Sequence, residues 1–115
     1  MIKAFTQSTL LLPYHISENI LISGDTIKLA DFGSTRSLDS KPPFTEYCGS
    51  RWYRAPEALL TDGHYGYKMD IWGVGCVFFE LLSLMPLFPG NNELDQIHKI
   101  HNILGTPPQE LIEKF

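Results

Sequence analysis

Between Ile71 and Pro89 the chain carries one charge, Glu80, in a stretch otherwise built almost wholly from apolar and small residues. Ile71, Val74, Phe78, Leu82 and Met85 recur at helical spacing, while Trp72, Cys76, Phe79 and Leu81 fill the other sides. A helix that is apolar nearly all round belongs in a core. A bilayer is the other place that could bury it. A charge near the centre of a span costs about 2.5 to 3.5 kcal/mol on insertion scales, and Pro86 and Pro89 break the last turn. What remains is nearer a buried core helix than a membrane span.

The rest of the composition supports one globular domain. A chain of 115 residues with 43% hydrophobic content lies within the size of a single domain and carries too much apolar surface for disorder. Nine Lys and Arg against thirteen Asp and Glu give a net charge of -4, with the basic residues scattered rather than striped, which argues against nucleic acid as a partner. Cys48 and Cys76 have no metal-ligand spacing to each other or to histidine, as expected of a reduced, intracellular chain. Leu10-Leu11-Leu12 is too short for the core of a signal peptide.

Residues 1–17 show no usable periodicity. Asn19 to Ile22 and Thr26 to Ala30 then read as two short strands, joined by the turn chemistry of Ser23-Gly24-Asp25. From Asp31 to Tyr53 the apolar pattern disappears, and a connection of that length is usually functional or disordered. Pro56 suits the first turn of a short helix over Glu57 to Leu60. A further helix is expected from about Asn92 to Leu104, with Leu94, Ile97, Ile100 or His101, and Leu104 on its apolar face. Asn91 or Asn92 caps it, Glu93 and Asp95 suit its positive end, and Gly105 stops it. Thr106 to Glu110 reads as the capped start of one more helix. His98 and His101 are read as solvated or rim residues, and Trp72, Phe78, Phe79 and Met85 as core packing.

Four motifs follow one another in order. Asp31-Phe32-Gly33 comes after a strand, Asn19 stands twelve residues before it, Ala55-Pro56-Glu57 is preceded by Ser50-Arg51-Trp52-Tyr53-Arg54, and Asp70-Ile71-Trp72-Gly73 opens the apolar helix. An amide oxygen and a carboxylate are hard ligands of the kind that hold magnesium against phosphate oxygens. The ordered set resembles the C-terminal lobe of a eukaryotic Ser/Thr protein kinase, in the branch of the cyclin-dependent and MAP kinases. Thr45-Glu46-Tyr47, Phe88-Pro89-Gly90 and Gly105-Thr106-Pro107-Pro108 support that branch. Lys41 to Tyr47 and Glu93 to Ile97 narrow the likeness to one member of it.

The resemblance runs from about Glu18 to Phe115. It implies a divergent segment over 1–17 and a partial kinase domain over 18–115, mainly α, with a small β-hairpin and a long activation-type loop. It makes Asn19 and Asp31 the metal positions, with Mg2+ and ATP as the family's cofactors. Thr45 and Tyr47 fall on the family's dual phosphorylation sites, Arg51 and Arg54 on the positions that meet phosphotyrosine, and Arg36 on one that meets phosphothreonine. Read without the family, the same two hydroxyls are simply exposed loop residues. Ser50, Arg51 and Arg54 lie in the strip that faces substrate. Glu57 and Trp72 take structural positions. Asp70 either helps hold the catalytic loop or is an ordinary acid at a helix start.

The family's catalytic loop reads H-R-D-x-K-x-x-N. With its Asn set on Asn19, Tyr14 and Ile16 occupy the places of the catalytic Asp and Lys, and Leu12 and Pro13 those of the His and Arg. A general base contributes roughly a hundred- to ten-thousand-fold, and the lobe that positions ATP, which this sequence does not contain, contributes up to about 7 to 11 kcal/mol of orientation. The expectation is therefore a fragment of an ATP-dependent Ser/Thr kinase, inactive by itself as an enzyme. The alternatives are a non-catalytic module that competes for partners of the full kinase, and an unstable product held by chaperones. Expected partners are protein substrates or regulators of the parent kinase, in the cytoplasm or nucleus, with neither nucleic acid nor membrane. An incomplete lobe would also leave Phe78, Phe79 and Leu82 exposed and lower the stability.

Overall fold

The structure, a computed structural model, describes residues 10–11, 19–32, 36–37, 41, 43, 50–61 and 64–113. Two small antiparallel pairings come first. β1 (Leu10–Leu11) pairs with β4 (Arg36–Ser37), and β2 (Ile20–Ser23) pairs with β3 (Thr26–Leu29) in the register Ile20 to Leu29. The hairpin agrees with its sequence signal to within a residue at each end. Gly24, at φ 57, supplies the positive φ that a two-residue hairpin loop needs at its first position. The β1–β4 pairing was not expected, because two residues per strand are too few to print an alternation on the sequence.

The C-terminal part is helical. A 3-10 turn spans Arg51–Tyr53, followed by α1 (Pro56–Leu60), α2 (Lys68–Ser83), α3 (Glu93–Leu104) and α4 (Gln109–Ile112). Pro56 opens α1 as expected. The apolar helix α2 starts earlier than its pattern implied and stops at Leu84, which takes the left-handed conformation at φ 60. Ser83 Oγ then donates to the Met85 carbonyl at 2.9 Å and accepts from Met85 N at 3.2 Å. Met85 therefore lies outside the helix. α3 is capped by Asn92, whose Oδ1 accepts from Asp95 N at 2.9 Å, and it ends at Gly105. α4 begins after Pro108 with no side-chain cap, so Thr106 does not take that role.

Trp72 joins the two halves of the core. Ala55, Ala58 and Met69 form one cluster, Cys76, Phe88 and Ile100 the other, and Trp72 packs on both. Its ring stacks on Phe88 with centroids 5.5 Å apart, a contact worth about 0.5 to 1.5 kcal/mol beyond its buried area. Trp72 is thus core packing, as read from the sequence. Phe78, Phe79 and Met85 are not: they are 62%, 40% and 65% exposed. Only Met69, Gly73, Cys76 and Val77 of α2 are buried, so the helix turns one side inward and leaves the other bare. The expected exposure of Phe78, Phe79 and Leu82 is what the structure shows.

The buried side of α3 also differs from its expected apolar face. Leu94 and Leu104 are exposed, and the buried residues are Gln96 and Ile100. Hydrogen bonding explains why a polar residue displaces the leucines, and it belongs to the site. His98 is exposed and His101 half-buried, in keeping with rim positions. No helix among the described residues is long and apolar enough to cross a membrane.

Candidate functional site

Two groups of sequence-derived site residues are brought into place by different elements. The first lies at the open end of the hairpin. Ala30 N donates to the Asn19 carbonyl at 2.9 Å, which closes the ladder and sets Asn19 beside the start of the loop at Asp31. Asp31 adopts φ 59, a left-handed conformation that Asp tolerates better than most residues. Such departures concentrate at functional positions. An amide oxygen and a carboxylate, twelve residues apart in sequence and carried at the two ends of the hairpin's open side, suit a hard, oxygen-seeking cation such as Mg2+, which is commonly bound by one or two protein oxygens together with substrate phosphates. No group of three or more His, Cys, Asp or Glu that could hold a metal unaided occurs among the described residues.

The second group is the strip Ser50 to Arg54. Its 3-10 turn is short, yet it is fastened to the segment before α3 and to α3 itself by side chains far away in sequence. Trp52 Nε1 donates to the Gly90 carbonyl at 3.0 Å. Arg51 Nη1 donates to the Asn91 carbonyl at 3.1 Å. Gln96 is fully buried, accepts from Gly90 N through Oε1 at 2.9 Å and donates from Nε2 to the Trp52 carbonyl at 3.4 Å. A buried amide is stable only with such partners. A Cβ at position 90 would collide with the Gln96 side chain and backbone, which explains the glycine there.

Charge adds to this clamp. Arg54, its side chain 11% exposed, lies 3.7 Å from Glu93. Asp95 accepts from Asn91 N at 2.8 Å, and that hydrogen bond, aided by the nearby Lys99, holds its carboxyl below the usual range. On the inner side, Tyr53 Oη donates to Glu80 Oε2 at 2.6 Å. The single charge of the apolar run is therefore an anchor for the strip. Burial, reinforced by the Glu80 carboxylate, pushes the neighbouring Cys76 thiol up to about 11, so it is an inert core residue at neutral pH.

The remaining site residues divide. Glu57 is half-buried in α1 and has no ion pair among the described residues. Asp70 is half-buried in the first turn of α2. Ser50 is exposed at the start of the strip. For Arg36 the structure describes the backbone, in β4. Tyr14, Ile16, Thr45 and Tyr47, with most of the expected activation-type loop, lie outside the described residues. Reading the sequence missed Gln96, Gly90 and the Tyr53–Glu80 pair. The available signal was polarity out of place: one glutamate in an apolar run, and one glutamine at a buried helix position.

The family model for the protein kinase domain matches residues 17–114. The chain belongs to the protein kinase family. Over 98 residues it is 66% identical to the human MAPK/MAK/MRK overlapping kinase, which covers 85% of this chain and 23% of that protein. It is 53% identical to cyclin-dependent kinase F-4 of Oryza sativa subsp. japonica, over 81% of this chain and 20% of the relative. A solved structure, the yeast RNA Pol II CTD kinase CTDK-1 complex, superposes with a TM-score of 0.85 at 36% identity, covering 95% of this chain and 36% of the chain compared. The branch inferred from Thr45-Glu46-Tyr47 and its companion motifs is the one these relatives occupy. The chain spans about a quarter of the length of the curated relatives it matches.

Proposed function

We propose that this kinase-family chain is the part of an ATP-dependent protein Ser/Thr kinase that holds a metal position and the peptide-facing strip, without the group that accepts the substrate proton. The observation that carries this reading is the double fastening of Ser50 to Arg54, by Trp52 and Gln96 to Gly90 and by Tyr53 to Glu80. Phosphoryl transfer rests mainly on positioning and charge stabilisation, and a strip held this way is a preformed edge for an extended substrate.

Asn19 and Asp31 are the residues that would hold Mg2+, which when bound neutralises the phosphates of ATP. Thr45 and Tyr47 are the modification sites of the same reading. Arg36, Arg51 and Arg54 are the side chains that would meet their phosphates, Arg54 at the expense of its contact with Glu93. With Tyr14 at the place of the proton acceptor, the chain alone transfers no phosphoryl group at a measurable rate. Incubation with Mg2+, labelled ATP and a Ser-Pro peptide tests this. No incorporation above background is expected, and magnesium-dependent incorporation that Asp31→Ala abolishes would overturn it.

A second reading is favoured by the same fastening: a peptide-facing surface without the chemistry can still occupy partners. An excess of the chain should then reduce phosphorylation of a protein substrate by the full-length human relative, and Gln96→Leu should weaken the competition. Failure to compete at any concentration removes this reading and leaves the first in place.

A further inference from the structure

The connection between α3 and α4 holds a sequence signal that neither the metal position nor the strip uses. Thr106 is followed by Pro107, and no other Ser or Thr in the chain is followed by proline. α4 takes no side-chain cap, so the Thr106 hydroxyl is not engaged by that helix, and Thr106 is exposed.

Local chemistry fixes the backbone on both sides of that hydroxyl. On the N-terminal side α3 ends at Gly105, whose N–H donates to the His101 carbonyl at 2.9 Å and whose φ of 85 and ψ of 167 turn the chain out of the helix. Glycine adopts that conformation freely, and other residues rarely do. On the C-terminal side, a residue before proline is kept out of the helical region and pushed to extended backbone. The rule applies to Thr106, which precedes Pro107, and again to Pro107, which precedes Pro108. Pro108 is itself extended, at φ -59 and ψ 149, close to polyproline II values. Thr106 to Pro108 is therefore an extended tripeptide that begins at a hydroxyl, set by the residues from Gly105 to Pro108 rather than by what packs around them.

We infer that Thr106 is a phosphorylation site for a proline-directed Ser/Thr kinase that takes this chain as substrate. A substrate already held in extended form loses little conformational freedom on docking, and phosphoryl transfer rests on positioning. Proline at the next position supplies recognition. It has no N–H, so an apolar pocket accepts it while another residue there would bury a donor without a partner. In the transfer, Thr106 Oγ1 attacks the γ-phosphorus of ATP held by the modifying enzyme, and the bond from that phosphorus to the β,γ-bridging oxygen breaks. ADP leaves, and the hydroxyl proton passes to that enzyme's base. Pro107 is half-buried, so docking lifts it from the surface about Gly105, the residue there most free to change φ. The site is separate from Thr45 and Tyr47, which are followed by Glu46 and Cys48.

Incubating the purified chain with an active proline-directed kinase of the cyclin-dependent branch, Mg2+ and labelled ATP, followed by mass-spectrometric mapping, tests this. Stoichiometric incorporation on Thr106 is expected. Thr106→Ala should abolish it, Thr106→Ser should keep it, and Pro107→Ala should lower the rate at least about tenfold, the scale on which a shaped pocket separates side chains. No incorporation into the folded chain overturns the proposal, including the case in which a free peptide of residues 102–112 is phosphorylated, because the tripeptide would then be closed off in the fold. So does phosphate mapped only to other residues, or a Pro107→Ala chain modified as fast as wild type. The proposed function is tested without an added kinase and this site with one, so either can fail without deciding the other.

Discussion

The hairpin and the strip both carry residues of the candidate site, and they are held in different ways. The hairpin β2–β3 rests on its own ladder: Leu21, Ile22 and Ile27 are exposed by 52%, 72% and 52%, so little apolar burial backs the backbone bonds that place Asn19 beside Asp31. A two-stranded hairpin alone is marginally stable in water. The strip has almost no regular structure of its own, yet Trp52, Tyr53, Arg51 and Gln96 tie it to the segments around Gly90 and Glu80, across 27 to 44 residues of sequence. Regular secondary structure is therefore a poor guide to which half of this site is preformed. Long-range side-chain bonds to buried backbone are the better one.

Several changes would break or sharpen this contrast. The largest effect is expected from Trp72→Ala, which removes the ring shared by both core clusters and costs about 3 to 5 kcal/mol. Urea unfolding should show the strip and helices lost together. Gln96→Leu comes next. It takes the Oε1 acceptor from Gly90 N, which keeps only its bond to the Phe88 carbonyl at 3.0 Å, and the Nε2 donor from the Trp52 carbonyl, a loss of about 1 to 3 kcal/mol, and Trp52 fluorescence should become more accessible to acrylamide while far-ultraviolet helicity persists. Asn92→Ala removes the α3 cap at about 1 kcal/mol, measurable as a lower urea midpoint with an unchanged slope.

Acid should act on the strip side through Asp95. Its carboxyl is held low in the folded chain, so the stabilisation it brings is complete above the ordinary carboxylate value and is lost as pH falls from about 4 through the lowered folded value. Asp95→Asn should flatten that part of the stability–pH profile and, by removing the 3.7 Å ion pair with Lys99, slightly weaken the response to salt at neutral pH. The smallest effect is expected at Arg54–Glu93, where the 3.7 Å separation and the 44% exposure of Glu93 limit Glu93→Gln to about 0.5 kcal/mol or less. A larger loss there would mean that charge, and not the Gln96 amide, fastens the strip.

Much of this arrangement was legible in the sequence where a residue acts on its near neighbours. Pro56 opening α1, Asn92 capping α3, Gly105 ending it and Gly24 turning the hairpin all work within a few residues, and each was read in place to within a residue or two. The motif order from Asn19 to Asp70 was also legible, since a kinase-like site is distributed in chain order. Long-range reciprocity was not legible. Nothing local to Gln96 says that Gly90 N and the Trp52 carbonyl will meet it, and the leucines at 94 and 104 made the wrong side of α3 look like its buried one. The same limit applies to α2. A helix apolar all round says that burial is favourable on every side, but not which side this chain's own residues cover, and here Met69, Gly73, Cys76 and Val77 take the inner position while Phe78 and Leu82 stay outside.

Native-state hydrogen exchange, read amide by amide, tests the central contrast most directly. The amides of Gly90, Asp95 and Gln96, which are bonded to Gln96 Oε1, Asn92 Oδ1 and the Asn92 carbonyl, should open only with the helical core and should all exchange faster in Gln96→Leu. The amides of the β2–β3 ladder should exchange by a separate, lower-energy opening that Gln96→Leu does not change. Hairpin amides protected as well as Gly90, or a Gly90 amide indifferent to Gln96→Leu, would contradict the claim that this chain holds the strip Ser50 to Arg54 in place through its own side chains.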